Sequence, residues 1–226
     1  MASPPFRIQS RSAETGPDFA PRRLINCPCS VRRPLAKGGV ASHAVPRPGY
    51  TRGGPVPATS ELVRKLTAKL SITEALHRYC RGLDRMDRTV ADTVWHADGT
   101  ADYGPDYRGS ASGFLDFVWA YHAQLDRHSH QVSNVLIDVD DAAGTAVSES
   151  YVSVWLRTHP VDGRVSDLFH RGRYIDTWSC RDDVWGIDHR TFVADLYREV
   201  THTASTLGTP SGRRDVNDPS YMAFKA

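Results

Sequence analysis

The second half of the chain, from His128 to Leu196, alternates apolar and polar residues with a period of two. Four long stretches carry this pattern, and each is a strand candidate: HSHQVSNVLIDVD, GTAVSESYVSVWLRTH, SDLFHRGRYIDTWSCRD and VWGIDHRTFVADL. They follow one another directly and are joined by the turn-forming segments DDAAG, HPVDGR and RDD. Because short turns join antiparallel neighbours, whereas parallel strands need long crossovers, we predict an antiparallel sheet.

Helical patterns come before these strands. SELVRKLTAKL places apolar residues at helical spacing, and SITE at residues 71–74 has the form of a capping box that starts a longer helix reaching Leu83. A short helix is predicted for DRTVADTVW, a short strand for HADGTADYG and a third helix for SASGFLDFVWAYHAQLDR. Helices that precede an antiparallel meander predict one α+β domain over residues 60–200, with the helices on one side of the sheet.

Residues 1–59 differ from this domain in composition. They hold nine Lys or Arg, only Glu14 and Asp18 as acids, and ten of the fourteen prolines. Such a segment cannot bury enough apolar surface to offset its ordering entropy, so we predict a disordered basic extension. It lacks interleaved aromatic residues, which argues against a nucleic-acid partner. Residues 201–226 are predicted as a C-terminal tail.

The four cysteines and the lack of long apolar runs indicate where in the cell the protein is located. Four cysteines without an export signal do not make a disulfide framework, so we expect free thiols and a cytoplasmic protein. No stretch approaches the ~18 consecutive apolar residues of a membrane helix, so we expect no membrane partner.

The segment HRYCRGLDRMD, residues 77–87, contains two candidate site residues. Tyr79 and Asp84 are five positions apart, about 500° around a helix, so they do not share a narrow stripe. They can still flank one opening if the helix crosses the mouth of a cavity. The alternative is that Tyr79 continues the core face of the helix while Asp84 is a solvated residue at its end.

His130 is the next candidate. Strict alternation would place Val135, Ile137 and Val139 on one strand face, and His130 on the other with a mixture of imidazole, amide and aliphatic neighbours. That mixture is typical of a ligand cavity, although a histidine near a strand start can also simply face solvent. A metal site is a further alternative, since the pair His128 and His130 could be joined by three other side chains: His96, Asp98 and His122.

Arg190 lies in the last predicted strand, VWGIDHRTF. Alternation would place it on the face opposite Trp185. A guanidinium on a sheet face is more often held in a structural ion pair, here with Asp188 or Asp176, than used in catalysis.

Several of these segments together resemble the SnoaL-like proteins of the nuclear transport factor 2-like (NTF2-like) superfamily. They are YCRGLDRMD, WHADGTADYG, HSHQVSNVLIDVD and, most specifically, GRYIDTWSCRDDVWGIDHR. The resemblance covers about residues 60–200. It implies a cone in which a curved antiparallel sheet wraps around a pocket that three N-terminal helices close.

The resemblance also implies a set of site residues. In the group that includes scytalone dehydratase and bile acid 7α-dehydratase, a histidine and an aspartate form a base dyad. A tyrosine or lysine precedes that aspartate by five residues, and an arginine comes from a late strand. These positions fall on His130, Asp84, Tyr79 and Arg190. The second acidic residue of the bile acid enzyme has no convincing match, since the corresponding strand offers only Glu149.

The function implied is that of a lyase or isomerase that needs no cofactor and no metal. It would act on a hydrophobic polycyclic, steroid-like or polyketide-like molecule, with His130 as the general base, and the protein would be a homo-oligomer. The alternative is a noncatalytic ligand-binding or accessory protein of the same fold, including a role like that of the small subunit of a ring-hydroxylating dioxygenase. An Asp84–His130 contact would favour the enzyme.

Overall fold

A computed structural model of the chain describes residues 59–205 and 212–224. The extension predicted as disordered lies outside these residues except for Thr59, which begins the first helix. In chain order the elements are α1 (Thr59–Arg85), α2 (Arg88–Asp92), β1 (Trp95–Asp102), β2 (Arg108–Ser110), α3 (Ala111–His122), β3 (Leu125–Asp140), β4 (Thr145–Thr158), β5 (Arg164–Arg181), β6 (Val184–Thr203) and α4 (Pro219–Ala223).

The six strands form one curved, unclosed sheet in the order β2-β1-β6-β5-β4-β3. β3 to β6 are an antiparallel meander, as the four alternating stretches predict. β1 then joins β6 in parallel, and the short β2 pairs antiparallel with β1. This mixed architecture confirms the α+β fold and the cone; the sequence did not predict β2 or α4.

The helix α1 supplies one wall of the core. Its buried residues Ile72, Leu76, Tyr79 and Leu83 recur at helical spacing and pack in one cluster with residues of the sheet. The predicted helix start at residues 71–74 is wrong, because a single helix runs through them. The apolar stripe continues across this point, and its burial favours an unbroken helix over a new cap.

A bulge in β3 changes which residues share a face. His130 pairs with Val154 and Ile137 pairs with Ser148, and the even spacing of these two β4 residues places both pairs on the same face. The predicted alternation, with Ile137 opposite His130, is therefore wrong. The register shifts between residues 133 and 136, where Asn134 has a φ of 49°. We call this face, which packs against α1, the inner face.

A second bulge moves Arg190. Ile187 pairs with Trp178 and Arg190 with Asp176, so both lie on the inner face although they are three positions apart. Asp188 is the extra residue in the ladder, and the alternation of β6 is inverted after this residue. The prediction that Arg190 lies on the face opposite Trp185 is therefore wrong.

The described part of the C-terminal segment returns to the helices. Residues 212–224 contact the end of α1 through hydrogen bonds that include Tyr221 Oη to Asp87 at 2.6 Å and Arg81 to Ser220 at 2.9 Å. Among the helices within residues 59–205 and 212–224, none is long and apolar enough to cross a membrane.

Candidate active site

Asp84 and His130 meet where the end of α1 lies against β3. Asp84 Oδ1 is 2.7 Å from Nδ1 of His130. The two carboxylate oxygens also accept the backbone N–H of His130, at 2.9 and 3.1 Å. The His130 and Asp84 side chains are only 5% and 16% exposed. Because a carboxylate accepts but cannot donate, Nδ1 carries a proton, and in the neutral tautomer of this ring the lone pair is on Nε2.

Two further histidines pack beside this pair. The rings of His122 and His128 stack with centroids 4.2 Å apart, and the His122 and His130 centroids are 5.3 Å apart. His128 Nε2 lies 2.7 Å from the carbonyl oxygen of Leu83 and therefore donates to it. Its Nδ1 is then an acceptor, 3.3 Å from the guanidinium of Arg214. The His128 ring is accordingly neutral in the folded protein, and burial keeps the His122 ring neutral as well.

Burial is the main reason for that neutrality. It lowers the pKa of His128 to about 4 and lowers the pKa of His122 well below the ordinary histidine range, and neighbouring cations and imidazoles add to both shifts. An unfolded chain would take up protons at these positions below about pH 6.5, whereas the folded chain resists them. The free energy of unfolding should therefore fall with the pH.

We expect this loss between about pH 6.5 and pH 4, at up to about 1.4 kcal/mol per pH unit for each histidine. Urea unfolding at a series of pH values in this range measures it. In His128→Gln one protonation site is gone, and the curve should be flatter than that of the wild type. A wild-type stability that stays constant or rises on acidification would contradict the neutral stack.

Arg190 lies at the other end of the inner face, in a closed ion pair. Its Nε and Nη2 donate to the two oxygens of Asp176 at 2.7 and 2.8 Å, and neither side chain is exposed. The guanidinium lies against three aromatic rings, with centroids 4.5 Å away for Tyr79, 5.3 Å for Trp95 and 3.8 Å for Tyr174. Nη1 of Arg190 is buried without a hydrogen-bond partner among the described residues.

The four predicted site residues thus form two contacting pairs. Asp84 contacts His130 and Tyr79 contacts Arg190, while no hydrogen bond, ion pair or ring contact joins one pair to the other. The charges of both Asp84 and Arg190 act on the thiol of Cys80, a further buried residue of α1. Burial raises the pKa of Cys80 to about 12, so it is neutral and not a nucleophile. Of the two ion-pair partners considered for Arg190, the structure has Asp176.

Of the residues of the metal alternative, His96 and Asp98 lie apart from the cluster of the three other histidines. His96 contacts the Ser179 carbonyl oxygen at 3.0 Å, and Asp98 pairs with Arg181 at 2.7 Å. Within the described ranges, no group of three or more His, Cys, Asp or Glu residues is arranged to hold a metal ion. Glu149, the only acid on its strand, lies on the outer face and pairs with Arg173 at 3.3 Å.

The inner face also carries residues that the sequence analysis missed. His170 and Tyr197 continue the row of His130 and Val154 across β5 and β6. Val154 and His170 are half-buried, whereas Ser150 and Asp176 nearer to Arg190 are fully buried. The face therefore opens at the His130 end. Register between strands, not any local motif, brings these side chains together.

Comparisons with known proteins identify the fold and the family. Structures with the same fold include a candidate scytalone dehydratase from Novosphingobium aromaticivorans, at 18% identity and a TM-score of 0.55, over 66% of this chain and 99% of that one. The hexachlorocyclohexane dehydrochlorinase LinA-type3 from Novosphingobium barchaimii matches at 16% identity and a TM-score of 0.51, over 66% of this chain and 99% of that one.

A candidate aromatic ring hydroxylase from Novosphingobium aromaticivorans matches at 18% identity and a TM-score of 0.51, over 60% of this chain and 94% of that one. At such identities the likeness shows the fold alone. A search of curated proteins gave no significant match. The family model of the SnoaL-like domain matches residues 64–191, more than half of the chain. The chain therefore belongs to the SnoaL-like family and has the NTF2-like fold.

Proposed function

We propose that the protein is a lyase or isomerase that uses His130 as a general base on a hydrophobic carbonyl compound. The observation that carries the proposal is the buried contact between Asp84 and Nδ1 of His130. A carboxylate at one ring nitrogen fixes the tautomer and stabilises the imidazolium that forms when the other nitrogen takes a proton.

The reaction that suits this pair is the elimination of water next to a carbonyl. Nε2 of His130 removes a proton from the carbon α to the carbonyl, the bond from the β carbon to its hydroxyl breaks, and a C=C bond forms. The same imidazolium then returns its proton to the departing hydroxyl, so that one water molecule leaves and the enzyme is regenerated. The chemistry needs no redox step and no cofactor.

Tyr79 is the residue that we assign to the substrate oxygen. Burial raises its pKa to about 12 even though the Arg190 cation opposes the shift, so the phenol is a donor at neutral pH. A hydrogen bond with Tyr103 also opposes the rise of this pKa. A hydroxyl aimed at an oxygen on which negative charge develops is the kind of group that stabilises an enolate. Arg190 supports that role through the ring of Tyr79, not as a free cation at the pocket edge.

The lining suggests the class of substrate. Val132 and Val154, the neighbours of His130 on the inner face, are half-buried apolar residues. Apolar walls with a few convergent polar groups fit a polycyclic molecule that carries one or two oxygen functions, as in steroids and aromatic polyketides.

The test uses the α-tetralone that carries a hydroxyl β to its carbonyl, because loss of water converts it to the fluorescent α-naphthol. Larger tri- and tetracyclic β-hydroxy ketones extend the panel. We expect dehydration above the buffer rate for at least one member, together with exchange of its α proton for deuterium in heavy water. Ligands that bind without either reaction would exclude the base chemistry.

A second function has a specific observation in its favour. The outer face of the sheet exposes Trp155, Leu196 and Val200 beside Phe169, around a groove of about 660 Å³. Such a patch fits a protein partner, as an accessory subunit or in the homo-oligomer that we propose for the enzyme. Tetralone binding without deuterium exchange, combined with a single-copy mass in solution, would favour the accessory protein.

A further inference from the structure

The C-terminal segment 212–224 holds the end of α1 on both sides of Asp84. Arg81 binds Ser220, Arg85 lies 3.5 Å from Asp218, and Asp87 accepts the hydroxyl of Tyr221. This segment lies beyond residues 64–191, which the family match covers. The family match therefore does not cover these contacts.

Arg214 makes the contacts that reach furthest into the site. Nη1 donates to the carbonyl oxygen of His122 at 2.8 Å, and Nη2 donates to that of Leu125 at 2.6 Å. Nη1 also lies 3.3 Å from Nδ1 of His128. One guanidinium thus joins the end of α3, the start of β3 and an imidazole. A fixed fork of donors suits such a task better than a flexible ammonium group.

His128 transmits these contacts toward the base. Its other nitrogen donates to the carbonyl oxygen of Leu83, the residue before Asp84, and its backbone lies two residues before His130. The charged and titratable groups that face the ring are Arg214, Asp84, His122 and His130. Burial disfavours a second proton on His128, the Arg214 cation near Nδ1 adds to that effect, and the ring stays a neutral link.

We propose that Arg214 is a positioning residue for the Asp84–His130 pair, acting through His128, so that the docked C-terminal segment is a working part of the site. The catalytic half of this inference rests on the proposed function; the positioning half does not. A positioning role differs from a purely structural one in what it predicts. Loss of Arg214 must alter the titration of His128 and the proton exchange of His130 in a protein that remains folded.

The experiment compares Arg214→Gln and Arg214→Lys with Arg213→Gln, a matched control whose guanidinium pairs with Asp215 nearby. Nitrogen-15 histidine spectra follow the titration of His128 and the Nδ1 proton of His130. In Arg214→Gln, His128 should titrate at higher pH, and the His130 proton should exchange with water on the order of tenfold faster. Arg214→Lys keeps the cation, so His128 should titrate as in the wild type.

Unchanged His128 and His130 signals in folded Arg214→Gln, or the same changes in Arg213→Gln, would overturn the proposal. If Arg214→Gln does not fold, Arg214→Lys provides the test. A lysine side chain cannot reach all three acceptors of Arg214, so the His130 proton must still exchange faster than in the wild type.

With the hydroxytetralone, kcat should fall about tenfold in Arg214→Gln while KM stays within about twofold. Absence of turnover in the wild type would count against the proposed function alone, because the spectra test the positioning independently. Altered spectra with unchanged kcat would overturn the catalytic half.

Discussion

Replacing His130 with glutamine should lower dehydration of the hydroxytetralone by about 10² to 10⁴-fold, the usual contribution of a positioned general base. Glutamine keeps the size and a hydrogen bond to Asp84 but has no nitrogen that can take a proton. The fold should survive, since glutamine fills nearly the same space as the buried ring. Initial rates of naphthol formation and the thermal melting curve are the two measurements.

Two variants set the scale of this effect. Asp84→Asn should cost less than loss of the histidine, because it removes a charge and a tautomer preference but leaves the base. His170→Gln is the matched control: it removes an imidazole from the same strand row, where no hydrogen bond joins it to a carboxylate of the described residues. If His130→Gln retained wild-type deuterium exchange, or if His170→Gln lost as much, His130 could not be the base.

Asp176→Asn should lower the free energy of unfolding by about 3–5 kcal/mol, the usual cost of removing one partner from a buried ion pair. The reason is the burial of Arg190, which would be left as an uncompensated cation with no exposed surface. The neighbouring aromatic rings stabilise that cation but cannot neutralise it. Urea unfolding at neutral pH, followed by tryptophan fluorescence, measures the loss.

Two comparisons isolate the burial effect. Asp98→Asn breaks the exposed pair with Arg181, and we expect little or no change in stability. The double replacement Asp176→Leu with Arg190→Met removes both charges, so it should recover much of the loss seen in Asp176→Asn. Equal effects of the buried and exposed single variants would contradict the account of a sealed pair.

The antiparallel meander was predictable because the sequence features that specify it are local. Alternation and turn residues define each strand, and short turns dictate antiparallel pairing between successive strands. The two bulges were not predictable by the same reasoning, since a period of two contains no sign of where one residue leaves the ladder. Asn134 is a partial exception: asparagine tolerates the left-handed backbone that it adopts here.

The site was less accessible to sequence reasoning than the fold. Spacing alone left Tyr79 and Asp84 as plausible core and surface residues, and only the family resemblance paired Asp84 with His130. Tyr79 is in fact both a core residue and a neighbour of Arg190, so the two interpretations were not exclusive. The role of Arg214 depends on a long-range contact with the α3–β3 corner, for which no periodicity or motif gives a signal.

The bulge at Asn134 divides β3 into two parts with opposite alternation. Before it, even-numbered residues such as His130 face inward; after it, odd-numbered residues such as Ile137 do. One strand can therefore present imidazoles on the inner face at its open end and aliphatic side chains on the same face at its closed end. The inward positions of the two ends follow different alternation. Substitutions among the inward residues before the bulge can change the chemistry of the site without changing which residues pack in the core after it. This independence lasts only while the extra residue at the bulge is retained.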